Sequence, residues 1–207
     1  MSVTIEAQPD SLRQSAIDFL SSRGRLSPAA QAAALRDGFP CLKSVTVRRD
    51  WLKRTARLEL ALRTGIAAAV VKGRPAGYLS EDGVVFAAPA GLYAVVAPVV
   101  DAAGAGPEDL KTAAKIVRAA AQPGALPAAL ESVAFVSAQD GWEARLVDGT
   151  AVLWGDGRWT GDKFSRLREV LADARTQSGA PAHFVADLRY FEDGRVLLRP
   201  VIARTFR

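Results

Sequence analysis

Trp142, Ala144 and Leu146 alternate with Glu143 and Arg145, and beyond Asp148-Gly149 the alternation resumes at Val152 and Trp154. A period of two puts every second side chain on one face of a strand, and Asp-Gly between two such runs supplies the turn of a hairpin. Residues 162–175 then carry Phe164, Leu167 and Leu171 at helical spacing. Upstream, Gly106-Pro107-Glu108-Asp109 opens another helix with acids in its first turn, an inner face of Leu110, Ala114, Val117 and Ala121, and Pro123-Gly124 as terminator. Tyr78-Leu79 and Val84-Val85-Phe86 flank Glu81-Asp82-Gly83 as strand, turn and strand. Phe184 to Tyr190 and Arg195 to Val201 read as two strands joined across Glu192-Asp193-Gly194.

The first third of the chain is patterned differently. Val3 and Ile5 alternate with Thr4 and Glu6 as a short strand, broken by Pro9-Asp10. Ser11 with Gln14 has the form of a capping box, opening a helix with an apolar face of Leu12, Ala16, Phe19 and Leu20. Ser27-Pro28 opens a second helix, serine as cap and proline at the first helical position, and Gly38 reads as its stop. Two alternating runs follow, Leu42 to Val47 and Arg57 to Arg63. Residues 3–63 thus read β-α-α-β-β, and Thr64-Gly65 marks the change to hairpins.

Several kinds of chemistry find no support in these residues. One cysteine, Cys41, excludes an internal disulfide, and with one histidine, His183, it makes a zinc site of the usual Cys/His kind implausible. Cys41 reads as a small buried hydrophobe and His183 as a structural residue beside a strand. Gly155-Asp156-Gly157-Arg158-Trp159-Thr160-Gly161-Asp162-Lys163 has the glycines of a phosphate loop, but Asp162 brings a negative charge to the place phosphate would occupy, and the dinucleotide spacing also fails. A solvent loop leading into a helix fits better. The net charge of +5 is spread along the chain without a basic recognition helix or an aromatic RNA-binding motif, which speaks against nucleic acid. No apolar run is long enough to span a bilayer. No catalytic residue, cofactor or metal site is expected.

Two stretches resemble a known family. Leu42-Lys43-Ser44-Val45-Thr46-Val47-Arg48-Arg49, followed by Leu58-Glu59-Leu60-Ala61-Leu62, is similar to the last hairpin of a POTRA domain, whose β-α-α-β-β order also matches. Trp142-x-x-Arg145-Leu146-x-Asp148-Gly149, Val152-Leu153-x-Gly155, Lys163-x-x-x-Leu167-x-x-Val170-Leu171 and Val185-x-Asp187-Leu188-Arg189-Tyr190 resemble, in that order, the β domain of the FtsQ/DivIB cell-division proteins. Gly83-Val84-Val85-Phe86 and Ala97-Pro98-Val99-Val100 fall where that family has two further segments. Thr64-Gly65 and Leu52-Lys53 depart from its usual prolines.

The resemblance implies an α+β protein: a POTRA-like β-α-α-β-β domain over 1–65, then a mostly antiparallel β domain over 66–207 with two flanking helices, a C-terminal edge strand and a short tail. It implies a non-enzymatic divisome scaffold with no cofactor, on the extracytoplasmic (periplasmic) face of the cell membrane at the division septum. A single-pass anchor would lie upstream of Met1, and the scaffold would recruit FtsB/FtsL-like coiled-coil partners that control septal peptidoglycan synthesis. Strand addition at the C-terminal edge is the expected mode. By resemblance Tyr190 and Gly194 fall on the partner-binding surface and Leu198 near an apolar contact, while Arg195, Val196 and Arg199 accompany them on the terminal strand. Edge arginines also deter aggregation, and Tyr190 could equally be core. Arg48, Arg49, Lys53 and Arg54 form a basic surface suited to recruitment or to anionic headgroups, and a solvated hairpin turn explains them as well. The rival readings are a POTRA-containing secretion or outer-membrane assembly component and an unrecognised hydrolase.

Overall fold

The computed structural model describes residues 2–94, 97–177 and 183–201. The chain divides into two compact units. The first comprises the described residues up to Thr64 together with Phe86–Ala94; the second comprises Gly65–Val85 and the described residues from Ala97 onward.

In the first unit the order is β1 (Ser2–Glu6), α1 (Asp10–Ser21), α2 (Pro28–Gly38), β2 (Leu42–Asp50) and β3 (Thr55–Leu62). The sheet runs β1-β3-β2, with β1 parallel and β2 antiparallel to β3. Leu12, Ala16, Leu20, Ala32, Leu35, Leu42, Ala56 and Leu58 are buried, so the helical and strand periodicities read from the sequence point inward together. Cys41 is buried among them, and burial pushes its thiol up. Ser27 does cap α2, its hydroxyl accepting from Ala30 N–H at 3.3 Å. One local expectation fails and another holds in a different conformation. Ser11 lies inside α1, which begins at Asp10 behind Pro9, so its side chain sits two residues too far along to cap the helix. Gly38 does end α2, but outside the left-handed region, and a Cβ there would run into the tip of the Phe19 ring. Phe86–Ala94 was not foreseen as part of this unit, where Phe86 packs edge-on against Tyr93 and the Tyr93 hydroxyl donates to Arg63 O at 2.7 Å.

The second unit is built on a nine-stranded sheet. Its strands are β4 (Gly65–Val71), β5 (Arg74–Ser80), β6 (Val85–Phe86, at the unit boundary), β7 (Val99–Asp101), β8 (Leu130–Ser137), β9 (Gly141–Leu146), β10 (Ala151–Gly155), β11 (Phe184–Asp187) and β12 (Leu197–Pro200). The order is β12-β11-β10-β9-β8-β7-β4-β5-β6. Antiparallel pairs β11–β12, β9–β10, β8–β9 and β4–β5 outnumber parallel pairs β10–β11, β7–β8 and β4–β7. The α+β class expected from the sequence is the one observed.

Helix α3 (Pro107–Ala120) joins β7 to β8 and helix α4 (Thr160–Thr176) joins β10 to β11, each pair parallel. Both crossovers leave strands pointing the same way and advance in the same direction across the sheet. The common right hand of such connections therefore sets both helices on one face, and α3 and α4 indeed pack on each other. The core lies between them and the sheet: Trp142, Ala144, Leu146, Val152, Trp154, Phe164, Leu167, Leu171, Phe184, Ala186 and Leu188 are all buried. On α3 the buried stripe is Ala113, Ala114, Ile116 and Val117; Ala121, expected inside, is the exposed C-cap beyond the last turn. The terminal ribbon is shorter than its sequence pattern. Leu188 to Val196 leave the ladder through a 3-10 turn at Phe191–Asp193, so Tyr190, Arg195 and Val196 lie outside the strands. The tail after Val201 lies outside the described residues.

Candidate functional site

Strand β12 is the last strand at one end of the sheet: β11 pairs with one side of it, and among the described residues no strand pairs with the other. Its register places Leu197 opposite Asp187, Leu198 opposite Ala186, Arg199 opposite Val185 and Pro200 opposite Phe184. Val201 N–H donates to His183 O at 2.9 Å. Hydrogen-bonded and non-bonded pairs alternate along an antiparallel ladder. Arg199 and Leu197 therefore turn their backbone groups toward β11, while Leu198 turns both N–H and C=O outward. Pro200, next in the outward set, offers only its carbonyl, the placement at which an edge strand tolerates proline.

Side chains follow the complementary alternation. Leu198 faces the core beside buried Ala186 and is half-buried, whereas Leu197, 53% exposed, and Arg199 lie on the sheet face without helices. The Leu198 side chain thus turns toward the core, while its backbone faces out. Val196 also packs on the core from the segment leading into β12. Arg195 is exposed and pairs with Asp193 at 3.1 Å. Gly194 closes the 3-10 turn in the left-handed region, at φ +73°.

Tyr190 is 81% exposed, which rules out its alternative role as core. It lines a polar cleft of about 670 Å³ together with Asp140, Asp156, Arg158, Arg189 and Glu192. Arg189 was missed as a site residue. Its guanidinium grips Asp187 at 2.8 and 3.1 Å and reaches Asp140 at 3.0 Å across the sheet end. These bonds raise the Arg189 pKa further, and the Arg189 hydrogen bonds hold the Asp187 carboxyl below its ordinary value against the opposing effect of burial. Opposite, Arg158 binds Asp156 at 2.6 Å and Glu192 at 3.4 Å. The acids lining this cleft are thus largely neutralised by guanidinium groups that cannot release a proton. The signal that pointed to Arg189 was its own place in the family-like run Asp187-Leu188-Arg189-Tyr190.

The glycine-rich loop is structural. Lys163 is buried, and its ammonium donates to Trp154 O at 2.8 Å and Asp156 O at 3.1 Å, closing the loop onto the start of α4. Burial holds Lys163 below its ordinary pKa, with Asp156 opposing. At Asp156 burial pushes upward, but the Arg158 hydrogen bonds and the Lys163 charge prevail and leave the carboxyl low. A Cβ at Gly141 would collide with the Gly155 carbonyl, and Gly155, at φ +76°, passes so close to Arg189 that a Cβ there would lie 3.0 Å from its Cα. His183 is exposed, with Nδ1 2.6 Å from Asp148 O, at the turn of the β9–β10 hairpin.

In the first unit, Arg48 and Arg49 lie at the end of β2, and Lys53 and Arg54 in the turn that follows, so the four predicted basic residues do share one hairpin tip. Arg48 is paired with Glu59 at 2.6 Å. Among the described residues no helix is long and apolar enough to cross a membrane, and no group of His, Cys, Asp and Glu is placed to hold a metal.

A family model described as cell division protein FtsQ/DivIB, C-terminal, matches residues 68–189. The match covers more than half of the chain and ends at Arg189, ahead of β12. Among curated proteins none matches the chain.

Proposed function

The chain belongs to the FtsQ/DivIB family of cell-division proteins, and on that premise we propose that it is a divisome scaffold that takes up an FtsB/FtsL-like partner as an added strand along the outer edge of β12. The family is one of membrane-anchored, non-catalytic division proteins. In this reading a single-pass anchor leads into Ser2, both units lie on the extracytoplasmic side at the septum, and the partners relay control to peptidoglycan synthesis. Residues 1–65 serve as the POTRA-like recruitment domain.

One observation carries the proposal. Leu198 presents a donor and an acceptor on the side of β12 where no described strand lies. An extended segment that exchanges both bonds with Leu198 and donates to Pro200 O gains roughly 0.5–1.5 kcal/mol net for each bond, less the ordering of a flexible partner. Side chains must add the rest. Leu197 and Arg199 flank the incoming strand, and Tyr190, Gly194, Arg195 and Val196 bound its far end. Arg195 and Arg199 suit an acidic partner segment.

An arginine at 198 would disturb the core and prove little. The discriminating pair is Leu198→Pro against Leu198→Ala. Both lose the side chain, but only proline removes the outward N–H, and neither touches a bond to β11. With folding verified by denaturation, the proline variant should bind an FtsB-like periplasmic peptide about tenfold more weakly than the alanine variant. Equal affinities would eliminate strand addition at this edge.

A further inference from the structure

The β2–β3 hairpin ends in Trp51 and Leu52, 72% and 98% exposed. The turn does not depend on their side chains, because it is fastened by Lys53 N–H donating to Asp50 Oδ1 at 3.0 Å. Residues 48–54 carry Arg48, Arg49, Lys53 and Arg54 against Asp50, a net +3, and among the described residues only Arg48 of these cations is drawn off, to Glu59 on β3. The Arg49 guanidinium lies over the Trp51 ring, 5.5 Å from its centroid, keeping a cation beside the exposed indole. An aromatic and an aliphatic side chain held in water on a cationic turn match the chemistry of a bilayer interface, where an indole sits at headgroup level and lysine or arginine meets phosphate.

Position points the same way. Strand β1 is parallel to β3, with Ser2 paired to Thr55. The start of β1 and the hairpin tip therefore share one end of the sheet, and three residues from Thr55 to Leu52 span at most about 10 Å. On the reading above, a membrane anchor leads into Ser2, which sets this end nearest the lipid.

We propose that the β2–β3 tip is an interfacial membrane contact, in which Trp51 and Leu52 enter the headgroup region of an anionic bilayer and Arg49, Lys53 and Arg54 bind its phosphates. The contact fixes the tilt of the first unit on the membrane, a constraint that a flexible junction with an anchor would not impose. The inference rests on the anchored arrangement but makes no use of β12.

The test is flotation of this chain with vesicles of phosphatidylcholine, alone or mixed with phosphatidylglycerol, while following tryptophan quenching by brominated lipid. The wild type should float with the anionic vesicles and show a quenched emission component that Trp51→Ala lacks. Leu52→Asp should weaken binding about tenfold, and Lys53→Gln with Arg54→Gln about 30-fold, the effect of two cations near an anionic surface. Equal flotation with both vesicle types, no flotation, or a Leu52→Asp chain that floats like wild type would overturn the proposal. So would tip variants that bind vesicles normally but lose septal recruitment in the anchored protein, a result that assigns the tip to a protein partner. Failure at β12 would register separately, because tip variants leave peptide binding untouched.

Discussion

The β9–β10 hairpin and the β11–β12 ribbon are both antiparallel pairs within one sheet, and they use their apolar residues in opposite ways. In the hairpin, alternation is carried through: Trp142, Ala144, Leu146, Val152 and Trp154 are all buried, with the Trp154 ring packed at a tilt against Phe164, 4.6 Å between centroids. In β12 only Leu198 turns to the core, and Leu197 is left 53% exposed on a strand bounded by Arg199 and Pro200. An interior pair converts its pattern into stability. An edge strand keeps part of its pattern unspent, guarded by charge and proline against unwanted pairing. The contrast is sharpest at Trp154→Ala, expected to cost about 3–5 kcal/mol in urea denaturation; a loss below about 1 kcal/mol would mean the hairpin is not the centre of the fold.

Lys163 extends the interior side of the comparison to a polar group. Its buried ammonium satisfies two loop carbonyls, so Lys163→Met strands both acceptors while keeping the volume. A loss of about 2–4 kcal/mol is expected. A neutral result would show that water replaces the ammonium and that the loop needs no internal clamp.

Between the two extremes lies Asp187, on β11, where the interior meets the edge. Arg189 holds its carboxyl below the ordinary value of 3.8. A depressed carboxylate contributes stability that is complete above its unfolded value and is lost as pH falls through its folded one. The fold should therefore weaken as pH drops below 3.8, and Asp187→Asn should remove that part of the acid sensitivity while costing about 1–2 kcal/mol at neutral pH. Acid melting curves of the two chains decide the matter, and superimposable profiles would assign the acid response elsewhere.

The same contrast explains what could be read in the sequence. Strands and helices whose periodicity is satisfied by burial were legible: 142–154, Leu12-Ala16-Leu20, Phe164-Leu167-Leu171. The parallel neighbours were not, because nothing local in Val99–Asp101 or Phe184–Asp187 says which strand lies beside it. The edge was misread in length, since Val185-Asp187-Arg189 continues a strand alternation that the Arg189 grip on Asp187 and the turn at Phe191 interrupt. Arg189 and Lys163 stood in the family-like segments, but their bonds did not show there, because neither the reach of Arg189 to Asp140 nor the burial of the Lys163 ammonium against the Trp154 and Asp156 carbonyls has a local signature. Gly38 was read as the stop of α2, where the helix does end, but its contact with Phe19 was invisible without the fold.

The smallest change in stability tests the edge most directly. Leu197 points to the face without helices, and its backbone is already committed to β11. Leu197→Ser should then shift unfolding by no more than about 0.5 kcal/mol, as exposed positions do. A partner strand laid against β12 would meet Leu197 at a non-hydrogen-bonded pair, where facing side chains approach most closely and contribute about 0.2–1 kcal/mol. Affinity for the FtsB-like peptide should fall by up to about fivefold with the melting curve unmoved. If stability fell as much as at an interior leucine, Leu197 would belong to the core and the division between interior and edge would be wrong. If neither quantity changed, the partner would have to approach β12 from somewhere other than its open side.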